Sequence, residues 1–90
     1  MPARRVTTVT LPVDTRSVVA FESYTGRTPL LTIMAPRHAL LVTLTLPQRV
    51  EAGHVCFARQ LAGMAARYAI EVERSYRGLP SLSALTPDPA

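Results

Sequence analysis

The sequence predicts an α+β domain: a four-stranded antiparallel meander (β-β-β-β) followed by one long C-terminal amphipathic helix packed on one sheet face. Three observations predict it. Residues 6–46 alternate apolar and polar side chains in runs separated by turn residues, the pattern of half-buried strands. Residues 48–77 change to helical periodicity, with apolar side chains recurring every three or four positions. Gly78 and Pro80 then stop the pattern abruptly.

The first predicted strand is Val6–Val13, V-T-T-V-T-L-P-V. Val9, Leu11 and Val13 share one face, and Pro12 marks an edge strand because it cannot donate to a ladder. Asp14-Thr15-Arg16 reads as a turn into a second strand, Ser17–Tyr24, with Val19 and Phe21 on one face. Thr25-Gly26-Arg27 is the next turn, its glycine free to adopt positive φ. A shorter strand at Leu30–Met34 is broken by Ala35-Pro36-Arg37. Ala39–Leu46 is the clearest strand, with Leu40, Val42, Leu44 and Leu46 facing one way and Leu41, Thr43 and Thr45 the other. Short turns between consecutive strands imply antiparallel pairing. One face is then aliphatic and the other rich in threonine, and the helix is the cover available for the aliphatic one.

The helix is expected from Gln48 to Arg77. Thr45-Leu46-Pro47-Gln48 resembles a capping box with proline in the first turn. At 100° per residue, Val50, His54, Phe57, Leu61, Met64, Tyr68 and Val72 form a core stripe. Ala58, Ala62, Ala65 and Ala69 lie beside it as a strip that permits close approach. Arg49, Arg59, Arg67, Arg74 and Arg77 fall away from the stripe, while Val55, Ala66 and Ile70 are apolar outside it. A helix of about thirty residues reaches ~45 Å and a strand of eight or nine only ~30 Å. The helix should therefore overhang its sheet, leaving Val72 and Tyr76 to be covered by a second copy of the chain; a bend or break near Gly63, or a later start near Gly53, is the alternative.

The 90 residues are expected to form one domain over 1–79 with a flexible, proline-containing tail over 80–90. Cys56 is the one cysteine, so no disulfide forms within the chain, and a lone thiol suits the cytoplasm. The segment after Met1-Pro2-Ala3-Arg4-Arg5 alternates with threonine and is not the apolar block of a signal peptide. The apolar stretch Leu30–Leu46 contains Pro36, Arg37 and His38 and falls short of the ~20 apolar residues of a membrane span.

The residues capable of chemistry do not converge. His54 and Cys56 point about 200° apart on a helix, and His38 is expected near Ala65, so no metal set forms. Cys56 has no histidine on its face to act as a base. Asp14, Glu22, Glu51, Glu71 and Glu73 are scattered, and no glycine-rich phosphate loop is present. The chain is therefore expected to be non-catalytic, without cofactor or metal. It is expected to be a small interaction or regulatory module acting as a homodimer, through Val55, Ala66, Ile70, Val72 and Tyr76.

The alternative is a basic nucleic-acid-binding protein. Net charge is +4 and all ten basic residues are arginine. Arg59, Arg67 and Arg74 recur at about two turns, with Arg77 following, a spacing suited to a phosphate backbone. A solvated face in which Glu71 pairs Arg67 and Arg74 is the competing reading of the same residues. The four-strand meander followed by a helix resembles, in topology alone, the Whirly-like single-strand DNA-binding fold, which implies dimeric subunits. A third expectation, a small enzyme or ligand carrier, needs a deep pocket lined by His54, Tyr68 and Phe21.

Overall fold

The computed structural model describes residues 5–23 and 25–82. The chain is α+β, with three antiparallel strands followed by one helix: β1 (Val18–Glu22), β2 (Leu30–Ala35), a 3-10 turn at Pro36–His38, β3 (Leu40–Leu44) and α1 (Ala52–Tyr76). It divides into two compact units between Val50 and Glu51, one holding the sheet and one the helix.

In the sheet unit β2 is central, with β1 and β3 as its edges. Pairing runs from Val18 opposite Met34 to Glu22 opposite Leu30, and from Leu31 opposite Leu44 to Ala35 opposite Leu40. This register gathers the period-2 pattern of all three strands onto common faces. Val19, Phe21, Leu31, Ile33, Ala35, Leu40, Val42 and Leu44 share one face, every one apolar. Ala20, Thr32 and Thr43 form a row on the other. Ala35 is fully buried, and Leu31, Ile33, Val42 and Leu44 are half-buried, so the small core lies under the apolar face around β2 and β3. Val19 and Phe21, on edge strand β1, are exposed.

The turns follow from particular residues. Asp14 accepts the amides of Ser17, through its carbonyl at 3.1 Å, and Arg16, through Oδ1 at 2.7 Å. Its own amide donates to Ser17 Oγ at 2.9 Å. Gly26 takes φ 78° between β1 and β2. The link from β2 to β3 closes on Ala39 at φ 51°, in the left-handed region, with its amide donating to Pro36 O at 3.0 Å. Thr28 Oγ1 donates to Leu46 O at 3.2 Å and fastens the chain leading into β2 to the chain leaving β3.

The predicted first strand does not form. Residues 5–13 have no ladder partner among the described residues, and Val6, Val9 and Val13 are exposed. Strand propensity stabilises little unless the side chains pack, and Pro12 removes a donor besides. The strand predicted to Tyr24 ends at Glu22, and Tyr24 itself lies outside the described residues. With three strands, the topological likeness to the Whirly-like fold no longer holds.

The helix starts later than predicted, at Ala52, with Glu51 as N-cap in extended conformation. Gln48 and Arg49 form a bend, and the Thr45–Gln48 box is not used. The Glu51 amide instead donates to His54 Nδ1 at 2.8 Å, so the residue three positions on satisfies the N-cap donor. The far end matches expectation. Gly78, at φ 72°, donates to Ser75 O at 3.1 Å, and Leu79 donates to Arg74 O at 2.8 Å, the paired bonds of a Schellman motif. Arg77 is the C-cap and not the last helical residue.

Candidate functional site

The helix is unbroken from Ala52 to Tyr76 through Gly53 and Gly63, and none of its residues is buried. Its 25 residues extend about 37 Å, whereas strands of five and six residues extend roughly 17–20 Å. The apolar stripe from His54 to Val72 alone covers about 27 Å of axis. The helix, β1 and β3 are shorter than the sequence predicts, whereas β2 reaches one residue further, to Ala35.

Two apolar surfaces run along α1. The broad one holds Phe57, Leu61, Met64, Tyr68 and Val72; Leu61 is half-buried, while Tyr68 is 62% exposed. The narrow one holds Val55, Ala66 and Ile70, with Val55 44% and Ile70 47% exposed. Stepping 100° per residue separates the centres of these surfaces by roughly 160°. Val72 falls on the broad surface, and Tyr76 stands beside the alanine strip, 90% exposed.

The arginines do not form one row. Arg67 and Arg74 lie within about 20° of one another, and Arg59 and Arg77 share a second line rotated by roughly 60–80°. That second line runs along the Val55–Ala66–Ile70 surface. Arg59 and Arg67 are exposed. Arg77 Nη2 meets Glu73 Oε1 at 2.9 Å, a pair four residues apart with both side chains exposed. Arg74 is half-buried, and its Nε donates to Pro80 O at 2.8 Å.

Glu71 does not serve Arg67 or Arg74. Its Oε1 accepts from Ser81 Oγ at 2.8 Å and from the Leu82 amide at 3.0 Å. Together with Arg74 it straps residues 80–82, the first part of the predicted tail, against the last turns of the helix; residues 83–90 lie outside the described part. This strap was not visible in the pattern, because helical spacing offers Glu71 an arginine on either side and says nothing of a chain that doubles back.

Other chemistry is sparse. Cys56 is a free, exposed thiol. His54 Nδ1 acts as an acceptor at the helix cap, which places any ring proton on Nε2. Among the described residues no three His, Cys, Asp or Glu side chains group closely enough to hold a metal ion. In the sheet unit Gly26, Arg27, Thr28, Leu30, Leu46 and Gln48 line a cleft of about 230 Å³. That is below the ~300 Å³ at which small-molecule pockets begin. Among the described residues no helix is long and apolar enough to cross a membrane.

No protein-family model, curated protein or solved structure matches the chain.

Proposed function

We propose that the chain is a small non-catalytic interaction module that works as a homodimer. One observation carries this reading: α1 presents two apolar surfaces roughly 160° apart, and a single sheet layer covers an arc of only about 100° or a little more. The sheet unit has one wholly apolar face to offer, whichever copy of the chain it serves. Val55 and Ile70 therefore stay in water unless another molecule meets them, and a second copy is the commonest such partner.

Sedimentation equilibrium tests it. Two chains per particle are expected at micromolar concentration, and Ile70→Arg should weaken association at least about tenfold by burying a charge without a fixed partner. A strict monomer at high concentration would end the reading.

A second reading, contact with nucleic acid through the arginines of α1, is favoured by the exposure of Arg59 and Arg67 and by the net charge of +4. Arg74 and Arg77 already hold Pro80 and Glu73, so the unengaged charge is smaller than the sequence count suggests. Filter binding to single- and double-stranded DNA at several salt concentrations decides it: Arg67→Ala should lower the log–log salt slope by about 1. Binding with an unaltered slope would count against it.

A further inference from the structure

We infer that the two copies join through their α1 helices, packed antiparallel across a two-fold axis at Ala66. The arrangement rests on the dimer reading above and gives it a geometry. Positions four, seven and eleven residues either side of a helical residue share its face. From Ala66 these are Ala62 and Ile70, then Arg59 and Glu73, then Val55 and Arg77. An isologous contact maps each residue onto its mate and the mate back again, so an axis at Ala66 sets the two members of each pair opposite one another.

The chemistry on the two sides of Ala66 is complementary at every step. At the axis, alanine faces alanine and lets the backbones come close. Four residues out, Ile70 fills the space that the small side chain of Ala62 of the partner subunit leaves. Seven residues out, the Arg59 guanidinium meets the partner's Glu73, and symmetry makes that pair twice. Eleven residues out, Val55 lies under the aliphatic stem of the partner's Arg77. Parallel helices in register would do the reverse, setting Arg59 against Arg59 of the partner subunit and Glu73 against the partner's Glu73. Like charges facing one another disfavour that orientation.

The structure prepares this face. The helix runs through its midpoint without a break at Gly63, so positions from 55 to 76 keep one phase and Arg77, the C-cap, follows them in αR conformation. Val55, Ala66, Ile70, Glu73 and Arg77 are all exposed. Arg77 holds Glu73 at 2.9 Å through Oε1, which leaves the carboxylate its second oxygen to offer Arg59 of the partner subunit.

Cysteine cross-linking tests the geometry. Helices packed about 9–10 Å apart, with Cα atoms about 2.3 Å from each axis, bring facing Cα atoms to roughly 4.4–5.4 Å, within reach of a disulfide. In a Cys56→Ser background, Ala66→Cys should form a covalent dimer under mild oxidation, and Gln60→Cys, turned about 120° from Ala66, should not. Arg59→Glu should raise the dimer Kd about tenfold, and adding Glu73→Arg should bring it back to within about threefold. If sedimentation gives a dimer that Ala66→Cys does not trap and Arg59→Glu does not weaken, this geometry is wrong while the dimer reading stands. If no dimer sediments at all, both fall together.

Discussion

Two glycines in the helix unit separate the uses of this residue. Gly63 sits mid-helix with negative φ, and a Cβ built on it meets nothing within 4 Å. Gly78 has equally open surroundings but takes φ 72° in the Schellman motif. The same substitution should therefore have opposite effects. Gly63→Ala removes the backbone entropy cost of a helical glycine and should stabilise by about 0.5–1 kcal/mol. Gly78→Ala forces a left-handed alanine and should destabilise by about 1 kcal/mol. Urea denaturation of both variants checks the pair, and a shift of the same sign in both would refute the assignment. Ala39 shows that the chain tolerates such a conformation elsewhere, at φ 51°, where a 3-10 turn must redirect it into β3.

Single elements show what the sequence revealed and what it hid. The three strands, their facing and the helix end were legible because each has a local cause: period-2 alternation for Val19 and Phe21 or Val42 and Leu44, and an obligatory φ for Gly78. Val6–Val13 carried the same alternation and still forms no strand, because pattern states which side chains would pack and not whether a surface exists to pack on. The helix start falls at the later of the two positions the sequence offers, near Gly53, for a related reason. Thr45 and Gln48 have capping chemistry, but the Glu51 amide finds His54 Nδ1, an acceptor that sequence rules built on glutamate and glutamine do not anticipate. Candidate surfaces fared differently. The Val55–Ala66–Ile70 face could be read from helical phase, whereas the strap at Pro80–Leu82 depends on contacts between distant turns. Glu71→Ala tests that strap. Alanine's better helix propensity offsets part of the loss, so global stability should fall by less than about 1 kcal/mol. Hydrogen exchange at the Leu82 amide should nevertheless quicken about fivefold or more, because opening of the strap no longer breaks its bonds to Glu71. An unchanged rate would mean that the strap is held by other contacts.

For the whole molecule, the two units share one deficiency. The sheet is a single layer with an apolar face, the helix a single element with two apolar surfaces, and Ala35 is the buried hydrophobic residue among those described. A chain that is 48% hydrophobic must bury more than this to offset the entropy of ordering 90 residues. If association supplies the missing burial, folding and assembly are one equilibrium, and stability depends on protein concentration. The size of that dependence follows from the chain length. Each tenfold rise in concentration adds about 1.4 kcal/mol per dimer. Two chains of 90 residues unfold with an entropy of roughly 0.4 kcal/mol/K, taking about 2.1 cal/mol/K per residue. The melting temperature should therefore climb by about 4 °C per decade of protein concentration, read by circular dichroism from one to one hundred micromolar. Ile70→Arg, which opposes association, should lower the melting temperature at every concentration in that range. A wild-type melting temperature indifferent to concentration would mean that one chain finds its burial alone, and the Val55–Ala66–Ile70 surface would then need no second copy to cover it.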